Sequence, residues 1–223
     1  MAKLPTPKPW ISEIHAYVPG KSKGKDGQPL TKLSANENPL GTSPMALAAR
    51  AHAVIPSLYP DPDSSALRQA IAQHLKLTPQ QVFLGNGSDE VLGHAFFTFF
   101  QQVCPLLMPD ISYSFYKVYC GLYSITARTV PLRDDLQLNV DDYAAPDQTV
   151  AGVVIANPNA PTGIGLPLAD IEKLLQMHPN RVVLIDEAYV DFGGTSAVAD
   201  VTDRTQLDAA IKAAGPTASG LAY

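Results

Sequence analysis

The chain has 223 residues, 46% hydrophobic and 17% charged, with a formal net charge of −5 and a sequence pI near 5.4. The acidic balance argues against nucleic-acid binding, which usually shows a basic face. No run of about 18 apolar residues is present to cross a membrane. A mean hydropathy of +0.01 is that of an ordinary globular protein with material for a buried core.

The N-terminal MAKLPTPKPW is basic, but no apolar segment follows it, so a secretory signal is not expected. Residues 20–28 (GKSKGKDGQ) are glycine-rich and basic without an apolar anchor, which predicts an exposed loop. The spacing is wrong for a nucleotide P-loop, because three residues rather than four separate Gly20 from Gly24 and Lys25 is followed by Asp26. From Ser64 the pattern turns helical. Ser64 or Ser65 can cap this helix, and Leu67, Ile71 and Leu75 recur at fourfold spacing along one face. A short apolar run, Val82 to Leu84, then meets Gly85-Asn86-Gly87-Ser88-Asp89-Glu90 and an apolar stretch with Val91, Leu92, Phe96, Phe97 and Phe100. This reads as strand, glycine turn and buried helix.

Val103 to Met108, Val150 to Ala156 and Arg181 to Ile185 are continuous apolar runs, as expected of parallel strands covered on both faces. A helix over 167–177 lies between the last two, with Pro167 in its first turn and Ile171, Leu174 and Leu175 on one face. Strand, helix, strand predicts an α/β domain with a mostly parallel sheet. Beyond about residue 199 the chain is rich in Ala, Thr and Gly, fits this pattern poorly and reads as unfinished. The 20 prolines stand at element boundaries rather than in a tract. Cys104 and Cys120 show no paired spacing and read as buried free thiols of a reducing cytoplasm. The five histidines show no ligand spacing, so no metal is assigned.

Three segments carry candidate chemistry. A strand running through glycines into a helix offers free backbone N–H groups, a ready anion site to which Ser88 adds a hydroxyl; a plain capped turn is the alternative. Asp89 and Glu90 fall favourably in the first helical turn. Asn157-Pro158-Asn159-Ala160-Pro161-Thr162-Gly163 follows a strand directly, where open α/β sheets bind ligands. Its prolines would hold the Asn157 amide at a fixed place, or make only a stiff turn. Asp186 ends another strand, where an unpaired buried charge is costly, so it wants a cationic partner. A protonated pyridine nitrogen would serve, with Tyr189 donating to a phenolate oxygen of the same ring; a helix cap or a local salt bridge is the other reading. Of the aromatic segment Tyr113, Phe115, Tyr116 and Tyr119, most is expected to be core. Tyr113, soonest after the preceding strand, is the candidate for stacking on a planar ligand.

In order along the chain stand Ala16-Tyr17-Val18-Pro19-Gly20-Lys21, Lys32-Leu33-Ser34-Ala35-Asn36-Glu37-Asn38-Pro39-Leu40-Gly41 and Tyr59-Pro60-Asp61, then Gly85 to Glu90, Asn157 to Gly163 and 186–192 (DEAYVDF). Over roughly residues 11–198 these segments resemble the histidinol-phosphate aminotransferases of the fold type I, aspartate-aminotransferase-like pyridoxal-phosphate enzymes. The resemblance implies an α/β large domain with a mostly parallel sheet, incomplete at its C-terminus. The implied divisions are an N-terminal arm and segment at 1–45, a partial cofactor-binding domain at 46–198, an atypical tail at 199–223 and no C-terminal small domain. The cofactor would be pyridoxal 5'-phosphate. Ser88 and Asp89 would lie at its phosphate, Tyr113 over its ring, Asn157 and Tyr189 at the ring oxygen and Asp186 at the ring nitrogen. Tyr59 would reach the phosphate bound by a neighbouring subunit, implying a homodimer, and Tyr17 would face the substrate. The implied reaction is amino transfer between histidinol phosphate and 2-oxoglutarate in histidine biosynthesis.

One departure stands out. The family's Schiff-base lysine lies in a Ser-x-Ser-Lys segment after a strand, whereas the only lysine beyond Asp186 is Lys212, preceded by neither serines nor a strand. Lys212 is therefore a weak candidate for that role. The expectation is a truncated or frame-shifted product, inactive as an isolated chain. The alternative is a non-catalytic fragment that binds the cofactor or associates with a partner.

Overall fold

A computed structural model describes residues 9–14, 21–33, 35–53, 57–198 and 221–222. The chain falls into two compact units, Ala16–Ser65 and a second made of Met1–His15 with Ala66–Tyr223.

In the smaller unit a turn at 24–27 closes a short antiparallel bridge between Lys23 and Pro29, with Gly27 at φ +79°. The glycine-rich stretch is thus the exposed loop that its composition predicts. Lys32 and Glu37 form an exposed ion pair at 3.6 Å, a contact of little energetic weight. Helix α1, Pro44–Ala53, follows. The described side chains here are nearly all exposed, Leu33, Leu40 and Met45 among them.

Helix α2 spans Ser65–Leu75 and belongs to the larger unit from Ala66 onward. Its start differs from the expectation that Ser64 or Ser65 caps it. Ser64 has φ +46°, and the Ser65 N–H donates to Asp61 Oδ2 at 2.7 Å. Asp61, four residues upstream, supplies the acceptor because the chain turns back at Ser64. On α2, Ala72 is buried and Leu67 exposed, so the inner face runs through Ile71, Ala72 and Leu75.

The main sheet has four strands: β2 (Leu106–Pro109), β3 (Ala127–Val130), β4 (Gly152–Ala156) and β5 (Val182–Asp186), in the order β3-β2-β4-β5 with all pairs parallel. A separate pair joins β1, Val82–Phe83, to Leu221–Ala222, again in parallel. Strand β2 starts later than its apolar run, since Val103 is almost fully exposed. The run predicted at the third strand ends one residue further on, taking Asp186 into β5. Strand β3 escaped the sequence reading, because three of its four residues are exposed and its pattern is mixed.

Two apolar clusters explain why the sheet is covered on both sides. Successive residues of a strand face opposite ways. Leu106 and Met108 of β2, with Val154 and Ala156 of β4, pack against Leu92, Phe96, Phe100, Tyr116, Tyr119 and Cys120. Leu107, Val153 and Ile155 go to the other face with Val140, Tyr143, Val150 and Leu174. The first layer comes from α3 (Ser88–Ala95), the π-helical turn Phe96–Phe100 and α4 (Phe115–Tyr123). The second comes in part from α5, Leu168–Met177, for which Pro167 is the N-cap residue. Its inner face is Ile171 and Leu174; Leu175 is exposed. Cys120 is buried, and burial alone pushes its thiol up to about 11. Cys104 is only partly buried and donates to the Gln148 carbonyl at 3.2 Å. Both cysteines are free, as read from their spacing. Among the described residues no helix is long and apolar enough to cross a membrane.

Candidate active site

The strand order places a topological switch between β2 and β4. From β2 the chain moves outward to β3 and then returns to the other side of β2. Loops leaving the carboxyl ends of two such strands diverge, and open α/β sheets bind ligands in the crevice between them. The loop after β2 leads to Tyr113, the loop after β4 begins with Asn157, and β5 beside it ends in Asp186.

Ala156 pairs in register with Asp186, and the Asn157 N–H donates to the Asp186 carbonyl at 2.8 Å. Asn157 is 1% exposed. Its Oδ1 accepts from the Leu166 N–H at 2.7 Å, while its buried Nδ2 has no partner among the described residues. The Asp186 carboxylate accepts from the Tyr116 phenol at 2.7 Å through Oδ2 and from the Ala188 N–H at 3.1 Å through Oδ1. Neither donor is charged, so the cationic partner expected for Asp186 is not among its hydrogen-bonding neighbours in the described residues.

The β2 and β4 loops are tied together by Asn159. Its Oδ1 accepts from the Ser112 hydroxyl at 2.8 Å. Its Nδ2 donates to the Ile111 carbonyl and to Thr162 Oγ1, both at 3.1 Å. The X-Pro bonds Asn157-Pro158 and Ala160-Pro161 are cis.

The glycine turn meets the same helix, α4, through Tyr119. Gly87 caps α3 at φ +82°, with nothing within 4 Å of where a Cβ would sit. Glycine meets such a backbone at no steric cost. Glu90 Oε2 accepts from the Asn86 N–H at 2.5 Å, closing the turn. Ser88 and Asp89 fall in the first helical turn, where N–H groups lack intrahelical acceptors. Two phenols reach Asp89: Tyr113 donates to its side-chain Oδ1 at 2.9 Å, and Tyr119 donates to its backbone carbonyl at 2.7 Å and to Oδ1 at 3.4 Å. Tyr119 is held protonated well beyond the usual phenol range, by burial first and Asp89 second.

The structure therefore brings Asp89 to Tyr113 and Asn157 to Asp186, and α4 spans between the two pairs. Tyr189 is half-buried three residues past Asp186, its ring 6.4 Å from that of Phe192. Tyr59 belongs to the smaller unit and is fully exposed. Tyr17 and Lys212 lie outside the described residues, as does the tail over 199–220 and at 223. Tyr116 and Tyr119 were expected only as core. They are buried, but each also turns its hydroxyl to a candidate residue. The signal was present, since Tyr113, Tyr116 and Tyr119 repeat every three residues and buried phenols seek a partner for the O–H.

Residues 28–217 match the family model for aminotransferase class I and II. The chain is 56% identical over 201 residues to a histidinol-phosphate aminotransferase of Acetobacter pasteurianus, covering 89% of this chain and 55% of that protein. It is 50% identical over 192 residues to the protein of the same name from Pseudomonas syringae pv. syringae, covering 85% and 53%. The chain thus spans about half the length of the curated relatives it matches. Among solved structures, histidinol-phosphate aminotransferase from Sinorhizobium meliloti in complex with pyridoxal-5'-phosphate superposes with a TM-score of 0.73 at 26% identity, over 82% of this chain and 51% of that one. With its parallel sheet, its loops at the switch point and a family match over most of its length, the chain belongs to the aminotransferase class I and II family.

Proposed function

We propose that this chain forms the cofactor-binding portion of a histidinol-phosphate aminotransferase. Pyridoxal 5'-phosphate would sit at the carboxyl ends of β2, β4 and β5, with its phosphate at the start of α3. The whole protein would catalyse amino transfer between histidinol phosphate and 2-oxoglutarate in histidine biosynthesis, as a cytoplasmic homodimer. The names and extent of the relatives support this reading.

The observation that carries the cofactor assignment is the orphan donor of Asn157. A buried donor without an acceptor costs on the order of 1–3 kcal/mol, which a ligand oxygen at that place would remove. The other residues fit the same group. An ionised carboxylate has about four acceptor sites, so Asp186 retains capacity for a protonated ring nitrogen beside its two neutral donors. The open space at Gly87 suits a phosphate near the α3 backbone.

When bound, the cofactor supplies an electron sink for charge developing at the amino-acid α-carbon. Asp186 would keep a proton on the ring nitrogen by its charge, and Asn157 and Tyr189 would donate to the ring oxygen. Tyr113 would cover the ring and exclude water from one face. Ser88 would give its hydroxyl to the phosphate. Asp89 would give its backbone N–H, since its carboxylate is engaged with phenols. Tyr59 of a second copy would reach the same phosphate, and Tyr17 would face the substrate.

The test is titration of the purified chain with pyridoxal 5'-phosphate, followed by borohydride reduction, peptide mapping and an assay for glutamate formed from histidinol phosphate and 2-oxoglutarate. Saturable binding that Asn157→Ala and Asp186→Asn each weaken at least tenfold is the expected result. A reduced lysine peptide, Lys212 included, with glutamate formation would extend the assignment to catalysis by this chain. No saturable binding, or binding that ignores both substitutions, sinks the cofactor site.

A further inference from the structure

Resting on the role just proposed for Asp186, we infer that Tyr116 is the positioning residue of that carboxylate, fixing its rotamer and leaving its full negative charge for the ligand. The phenol of Tyr116 meets Oδ2 from α4 at 2.7 Å, and the Ala188 N–H meets Oδ1 from the chain just past β5 at 3.1 Å. Each oxygen is thus tied to a donor on a different segment, 70 residues from Asp186 in one case and two in the other. Rotation about the Cβ–Cγ bond would break both contacts. Hydrogen bonds to an ionised acceptor are among the stronger ones available to a side chain.

Tyr116 is itself held firmly. It is 1% exposed, its ring stacks on Phe96 at 5.8 Å and 27°, and Tyr113 meets it edge-on at 5.5 Å and 89°. The same side chain therefore braces Tyr113, the ring proposed to cover the cofactor, and the carboxylate proposed to pair with it. Burial, then the neighbouring Asp186, hold the phenol protonated far above its ordinary range. The choice of residue type matters here. A lysine or arginine at this place would neutralise Asp186 and compete with a cationic ring nitrogen. A neutral phenol orients the carboxylate without spending its charge.

The test starts with the full chain labelled with 13C at the aspartate carboxyl carbons, the Asp186 line being assigned by its loss in Asp186→Asn, with Asp186→Glu as a second variant. Tyr116→Phe should move that line, while Tyr119→Phe, which removes another buried phenol of the same helix, should leave it in place. Tyr116→Phe should also weaken pyridoxal 5'-phosphate binding about tenfold, and should weaken it no further in an Asp186→Asn background. An Asp186 line unmoved by Tyr116→Phe overturns the inference whether or not the cofactor binds. Equal loss of affinity in both backgrounds overturns it as well, since Tyr116 would then act through general packing. A line that moves while Asp186→Asn leaves affinity unchanged supports the Tyr116–Asp186 coupling and sinks instead the pairing of Asp186 with the ring nitrogen.

Discussion

The chain leaves β4 and β1 in two different ways. All five residues of β4 are buried, Asn157 after it is 1% exposed, and Asn159 two residues further is 7% exposed. The side chains of Asn157 and Asn159 are both engaged with neighbouring backbone or loops. Strand β1 has two residues, Phe83 is 39% exposed, and every residue from Gly85 to Glu90 is exposed. Within that turn the one side-chain contact among the described residues is Glu90 to Asn86, and from outside it Tyr113 and Tyr119 hold only the helical end, at Asp89. Two junctions that read alike as strand-to-loop sites are therefore built to different tolerances. One is buried in the fold; the other is a short, wet turn that rests on glycine and the Glu90 carboxylate at its start and on two phenols at Asp89.

The sharpest way to break this comparison is at the root of β4. A Cβ on Gly152 would lie 2.5 Å from the Val182 carbonyl and 2.6 Å from Phe100 Cε1. Backbone on one side and a buried ring on the other leave little room to yield. Gly152→Ala should cost about 3 kcal/mol, at the upper end of overpacking effects, read as a fall in the urea midpoint at unchanged m-value. A loss under about 0.5 kcal/mol would mean that β4 and β5 can separate freely, and the β4 junction could not be called rigid.

Asn159→Ala comes next. It removes an acceptor from Ser112 and donors from the Ile111 carbonyl and Thr162. Three part-buried hydrogen bonds, each worth about 0.5–1.5 kcal/mol net, should together cost on the order of 2 kcal/mol. Pyridoxal 5'-phosphate affinity should fall with stability, because Asn157 and Tyr113 sit on the two loops that Asn159 joins. Isothermal titration beside the urea curve checks both. Stability lost with affinity kept would show that the loops hold their relative position without this tie.

These residues also mark what was legible beforehand. Strands β2 and β4 announced themselves because they are buried on both faces, and β5, half-buried at the sheet's edge, because its run is apolar as far as Asp186. Asp186 and Asn157 were visible because a polar residue at the end of such a run stands out. Strand β3 was not, since an outer strand with three exposed residues carries no such run. Asn159 is not singled out within its segment, as its partners Ser112 and Ile111 lie 47 and 48 residues away. Tyr116 was hidden for the same reason, its acceptor being 70 residues distant. Local pattern reports burial well, and reports long-range polar pairing hardly at all.

The smallest effect is expected in the glycine turn. Glu90→Ala removes the acceptor of the Asn86 N–H from an exposed site, where water can take its place. The urea midpoint should barely move, within the roughly ±0.5 kcal/mol usual for surface changes. The Asn86 amide, by contrast, should exchange with solvent several-fold faster, since local opening rather than global unfolding controls it. Amide exchange followed by NMR on the wild-type and Glu90→Ala chains separates the two quantities. A midpoint lowered as far as in Asn159→Ala would erase the contrast between the junctions, because the β1 turn would then be as integral to the fold as the buried loop after β4. Faster exchange at Asn86 alone would instead mark the start of the turn as a site whose order is set by the Glu90 carboxylate.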